Sequence, residues 1–186
     1  MAKTYPGMTV EALRLEKGIS KQLFDGLFAA GGITLSQVCS LTGLEPYLVQ
    51  NWVKRGFVTS PVKRVYSRRQ FARIVIINML RDTLQIERIC GLIRILSGPT
   101  DSLCDDLIGD EELYHKYVDM IACAGLSKID AQAVLECAEK AAQDYEETVK
   151  GDRKKLIRIL CAMYYAHASA RLRDQANETL MLLEES

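Results

Sequence analysis

Between Thr34 and Gly56 the chain spells out two short helices and the turn that joins them. Thr34 followed three residues later by Gln37 has capping-box spacing, in which each side chain satisfies an orphan amide of the first turn. A helix is predicted to open there and run to about Thr42, with Gly43 as its stop. Pro46 then fits the first turn of a second helix, PYLVQNWVKR, where its missing N–H removes no hydrogen bond. Gly56 ends that helix. Two short helices around a tight Gly-containing turn have the spacing of a helix-turn-helix, and Leu35, Val38, Cys39, Leu48, Val49 and Trp52 supply the apolar faces that hold it together.

The next stretch changes period. FVTSPVKRVY alternates apolar and polar residues around Ser60-Pro61, which reads as two short strands and a turn. Ser67 is a cap for a helix from Arg68 to about Leu80, a break follows near Asp82-Thr83, and a fourth helix spans about Ile86 to Leu96 before Ser97-Gly98-Pro99. Upstream, Thr9 with VEALRLEK and Ser20 with KQLFDGLFAA predict two short helices. Downstream, helices are predicted over about 111–124, over about 128–149 with Val134, Ala138, Ala141, Tyr145 and Thr148 as its apolar seam, and after Asp152 with Leu156, Leu160, Met163, His167 and Ala170. The expected organisation is an N-terminal helical segment (1–32), a winged helix-turn-helix (33–97) and an all-α C-terminal region (98–186).

The formal net charge is zero, yet its distribution is uneven. Residues 34–97 hold ten Lys/Arg against three Asp/Glu, and residues 98–150 hold four Lys against thirteen Asp/Glu. Such asymmetry fits a basic part that meets a polyanion; it also fits two halves that attract one another. The longest unbroken apolar run near the middle is only Ile74–Ile77, far short of a membrane span, and the first residues carry no secretory leader pattern, so a cytoplasmic protein is expected. The six cysteines show no CxxC pair and have only His115 and His167 as potential co-ligands, so buried reduced thiols are expected and no metal or cofactor is implied. His115 lies among acidic residues and reads as exposed. Asp105-Asp106 and Asp110-Glu111-Glu112 read as a solvated acidic face, with Asp110 suited to a helix N-terminus. No phosphate-cradling loop, HExxH or nucleophile with a placed His is present, so no enzyme is expected.

The segment from Ile33 to Ile93 resembles the DNA-binding domain of MerR-family transcription regulators. More closely, VQNWVKRGFVTSPVKRVYSRRQFARIVIINMLRDTLQIERI is similar to a group of bacterial MerR-like proteins catalogued only as a domain of unknown function. The matching features are Lys54-Arg55-Gly56-Phe57 at the end of the second helix, Arg64 two residues before Tyr66, and a capped helix from Ser67. The chain differs where it has Gln50 in place of an Arg, Lys63 in place of an aromatic, and Asn51-Trp52 in place of paired aromatics. The resemblance implies a mainly α, MerR-type winged helix-turn-helix with a small two-stranded wing, double-stranded DNA as partner, and a homodimer formed through the C-terminal helices.

In such a domain the second helix enters the major groove and the wing reaches the backbone or minor groove. Tyr47, Gln50, Asn51 and Lys54 share one face of Pro46–Arg55 by spacing, and Gln50 and Asn51 have the chemistry to read adenine edges. Lys54, Arg55, Lys63, Arg64, Arg68 and Arg69 are expected on phosphates, with Ser36 and Tyr66 completing the DNA-binding set. Tyr145, Tyr164, Tyr165 and His167 either line an effector pocket, for a small molecule or a protein, or pack a helix interface. The expected function is a dimeric DNA-binding transcription regulator. The alternative is a winged-helix protein-interaction adaptor without significant DNA affinity.

Overall fold

The computed structural model describes residues 3–97, 108–125, 130–147 and 150–184. Their elements are β1 (Lys3–Thr4), β2 (Glu11–Ala12), α1 (Ile19–Leu27), β3 (Ile33–Thr34), α2 (Leu35–Thr42), α3 (Pro46–Lys54), β4 (Val65–Tyr66), α4 (Arg68–Leu80), α5 (Ile86–Ser97), α6 (Asp110–Ala124), α7 (Ala131–Ala141) and α8 (Asp152–Glu184). The protein is mainly helical. Two small antiparallel sheets join β1 to β2 and β3 to β4, the latter in the register Ile33↔Tyr66 and Thr34↔Val65.

Helix α4 is the centre of the core. Phe71, Ala72 and Ile74–Ile77 are fully buried, and Met79 and Leu80 close the last turn. A helix that is apolar all round needs cover on every side, and α2, α5, α6 and α8 provide it. Burying a large apolar side chain contributes about 1.5–3 kcal/mol, so this one helix anchors the protein. Its start is fixed locally: the Ser67 hydroxyl accepts from the Gln70 amide while Gln70 Oε1 accepts from the Ser67 amide. The expected capping box at Thr34 and Gln37 is also present, and α2 ends on Gly43 in the left-handed region at φ 69°. Among the described residues, one apolar cluster runs from the N-terminal segment through α4 into α6, α7 and α8.

Several expected elements differ. In place of the first predicted helix, VEALRLEK contains β2, paired with β1, followed by an irregular stretch. Thr9 does not cap a helix: its hydroxyl and amide donate to the Ser40 and Leu41 carbonyls on α2. Gly7 permits this path at φ 71°, with its backbone so close to α4 that a Cβ would fall 2.4 Å from the Val75 carbonyl oxygen. Asn78 completes the seam by donating to the Gly7 and Thr42 carbonyls. Gly18 is the N-cap of α1, and Ser20, expected in that role, is a buried residue inside the helix. Helix α7 is shorter than expected, ending at Ala141 with a turn that brings in buried Tyr145; Lys128, Thr148 and Val149 lie outside the described residues. Helix α8 spans 33 residues, with Leu156, Leu160 and Met163 in the core.

Of the acidic run 110–112, Glu112 is exposed and Asp110 opens α6 as expected, but Asp110 is not solvated. Asp110 is only 1% exposed and holds Arg73 of α4 in a bidentate pair, at 2.9 Å from Nε to Oδ2 and 3.0 Å from Nη2 to Oδ1. Asp105-Asp106 lies outside the described residues. His115 is half-buried against Phe24, between the Ser20 hydroxyl at 2.9 Å and Glu111, and burial lowers its pKa. Cys123 and Cys137, expected as reduced thiols, form a disulfide that ties α6 to α7. Cys39, Cys90 and Cys161 are free and partly buried, and Cys104 lies outside the described residues.

Candidate nucleic-acid interface

Helix α3 hangs on two side chains. Val49 and Trp52 are buried, which turns Tyr47, Gln50, Asn51 and Lys54 outward, and all four are exposed. Lys54 stands in the last turn, where a cation complements the helix dipole. Ser36, in the first turn of α2, is exposed as well. The expected face of the second helix is therefore solvent-facing as the spacing implied.

After α3 the backbone does not form the predicted pair of strands around Ser60-Pro61. The reversal comes later, at Lys63-Arg64, where Val62 and Val65 form a bridge and the Val65 amide donates to the Val62 carbonyl at 2.9 Å. Both residues of this two-residue turn have positive φ, 50° for Lys63 and 66° for Arg64. That is type I′ geometry, which Asn-Gly adopts with little strain. A non-glycine L-residue in the left-handed region costs roughly 1–2 kcal/mol. The chain therefore holds two long cationic side chains, both exposed, on a strained reversal. The strand that follows pairs with β3 ahead of α2, so the turn is fastened to the same two-stranded sheet that introduces the helix pair.

The remaining expected contacts have other occupations. Tyr66 is buried, its ring part of the core beside β3. Arg55 donates to Glu87 at 2.7 Å and lies over the Phe57 ring at 4.5 Å. Arg68 bridges Asp25 and Glu111, and its hydrogen bond lowers the Asp25 pKa. Arg69 reaches Asp110 at 3.5 Å. Lys54, Lys63 and Arg64 form no ion pair among the described residues. Of the expected contacts, the cations left exposed without an ion pair among the described residues are those at the end of α3 and in the turn. The carboxylates that neutralise the other arginines were the part of the site that sequence reasoning missed; the acidic run 110–112 opposite the basic run 68–73 was the available signal.

The four residues considered for an effector pocket have packing partners. Tyr145 and Tyr164 are buried, and the Tyr164 hydroxyl donates to the Gly125 carbonyl at 2.9 Å. His167 Nδ1 lies 3.0 Å from the Tyr117 hydroxyl, and burial pushes its pKa down to about 4. Tyr165 is 40% exposed and meets Tyr164 edge-on. A cleft of about 620 Å³ lies elsewhere, between the 14–17 segment, α6 and α7.

Residues 33–117 match the family model of a domain of unknown function, DUF1836. The match begins at β3, takes in the helix pair, the turn, α4 and α5, and ends inside α6 beyond Asp110. No curated protein and no solved structure matches the chain. Among the described residues, no helix is long and apolar enough to cross a membrane, and no group of three or more His, Cys, Asp or Glu residues is arranged to hold a metal ion.

Proposed function

We propose that this chain binds double-stranded DNA as a MerR-like winged-helix regulator, with α3 in the major groove and the Val62–Val65 turn serving as a minimal wing. One observation carries the reading: the strained Lys63-Arg64 reversal keeps two unpaired cations on its tip where Asn-Gly would be less strained. Gln50 and Asn51 offer bidentate amides to base edges, and Lys54, Lys63 and Arg64 supply charge to phosphates. A second copy completes the reader through the far end of α8. Every residue from Arg171 to Leu183 is exposed there, over about 20 Å of helix, including Leu172, Leu180, Met181 and Leu183. Apolar side chains repeated along one helix end favour a self-complementary two-fold contact.

The pairing of Arg55, Arg68, Arg69 and Arg73 with carboxylates favours a second reading, a protein-interaction adaptor with the same architecture. A salt titration against random-sequence duplex DNA separates the two. On the DNA reading, log K falls linearly with log salt, and Lys63→Ala with Arg64→Ala reduces the slope by about 0.9 for each phosphate no longer neutralised. Absent binding at low salt, or an unchanged slope in that double variant, sinks the DNA reading.

A further inference from the structure

The disulfide lies at the wall of the cleft between α6 and α7, and its two cysteines are unequally exposed. Cys123, near the end of α6, is exposed, whereas Cys137, in the middle of α7, is 7% exposed. Their Cα atoms are 5.8 Å apart, inside the ordinary range for a bridge, so both helices can hold the bonded state in place. The cleft of about 620 Å³ is bounded by Arg14–Lys17, Asp119, both cysteines and Lys140. Among its lining residues, Asp119 is tied to the start of α1, its Oδ1 accepting from the Gly18 amide at 2.8 Å. A volume of this size fits a low-molecular-weight ligand.

We propose that Cys123 and Cys137 form a thiol–disulfide exchange site, with the cleft admitting a small thiol or its disulfide to the Cys123 sulfur. In the reducing direction a thiolate RS⁻ in the cleft attacks Cys123 Sγ. The Cys123–Cys137 bond breaks, the electron pair leaves on Cys137 Sγ, and that sulfur takes a proton. A second thiolate attacks the sulfur of R in the mixed disulfide, which releases RSSR and leaves Cys123 as a thiol after protonation. Two RSH are oxidised to RSSR while the protein disulfide is reduced to two thiols; in the opposite direction RSSR is the oxidant. Access decides which sulfur is attacked, and of the two cysteines that border the cleft Cys137 is the more buried. Cys39, Cys90 and Cys161 are free, and burial raises the pKa of each, which lowers their thiolate fraction.

The test equilibrates the purified full chain in buffers of varied reduced-to-oxidised glutathione ratio, quenches in acid, alkylates and maps the tryptic peptides. The two cysteines fall on adjacent peptides, 117–128 and 129–140. The expected result is a linked pair in oxidising buffer that separates into two alkylated peptides in reducing buffer. Cys137→Ser should trap glutathione on Cys123, whereas Cys123→Ser should leave Cys137 free under the same exposure. The wild-type chain reports the same order without a substitution, because brief reduction should catch glutathione on peptide 117–128 and not on 129–140. Failure of the pair to link at any ratio overturns the proposal, as does glutathione captured equally by both cysteines.

Discussion

Removing the Asp110 carboxylate tests what joins the two halves of the molecule. Arg73 projects from the most deeply buried helix and is 8% exposed, with Asp110 its bidentate partner. Asp110→Ala leaves a guanidinium inside the core with no counter-charge. Breaking a buried pair on one side typically costs about 3–5 kcal/mol. A cavity of about 20 Å³ bounded by Thr59, Arg69, Gln70, Arg73 and Asp110 adjoins the pair, room for about one water molecule. Hydration through that space and the truncated side chain places the expected loss near the lower end, about 3 kcal/mol. Urea unfolding followed by circular dichroism reads this as a lower midpoint at unchanged slope. The complementary variant, Arg73→Met with Asp110→Leu, replaces both charges with apolar groups and should recover most of that loss, since an apolar pair avoids desolvating two ions. A loss below about 1 kcal/mol in Asp110→Ala, or a double variant as unstable as the single one, refutes the reasoning.

Other outcomes follow from the same geometry. Replacing Lys63-Arg64 by Asn-Gly relieves the left-handed strain and should raise stability by about 1 kcal/mol, or roughly 2–4 °C in Tm, while weakening duplex DNA binding; a lower Tm contradicts the turn assignment. Gly7→Ala puts a Cβ against the Val75 carbonyl at positive φ and should destabilise by about 2 kcal/mol or more, measurable by thermal melting. His167 has a folded pKa of about 4, below the ordinary 6.5, so protonation favours the unfolded chain. Its contribution is undisturbed above about pH 6.5 and is lost as pH falls toward 4, about 2 kcal/mol between pH 7.5 and 5. His167→Gln should remove that part of the slope, and an unchanged slope means that the ring is not held neutral. Leu180→Glu with Leu183→Glu should shift a dimer to monomer in sedimentation velocity; a variant that sediments like the parent rules out this end of α8 as the contact.

What was legible in the sequence was what is decided locally. Thr34 with Gln37, Ser67 with Gln70, Pro46 and Gly43 each satisfy or relieve their own neighbours, so α2, α3 and α4 fall where those residues place them. The N-terminal hairpin was illegible because distant groups hold it: Thr9 bonds to residues 40 and 41, and Gly7 to Asn78. VEALRLEK has helical periodicity, and those long-range bonds outweigh it. Asp110 read as a surface residue because its partner lies 37 positions earlier, on α4, and the two meet only when α6 packs against that helix. At the candidate interface, spacing identified the outward face of α3. It could not reveal which arginines were already neutralised, since Asp25, Glu87, Asp110 and Glu111 meet them only in the folded chain. The turn was misplaced by Pro61, a strong local signal; the strained reversal at Lys63-Arg64 has none of the usual turn residues.

A helix buried on every side belongs to no single module. Cutting the chain after residue 97 would strip α6 and α8 from α4, baring Tyr114's contact surface on Phe24 and leaving Arg73 without its carboxylate. Such a fragment would be sticky rather than a portable reading head, and grafting it onto another protein would carry that liability along. Amino-acid changes deep in the C-terminal half should therefore alter how the basic end behaves without touching it.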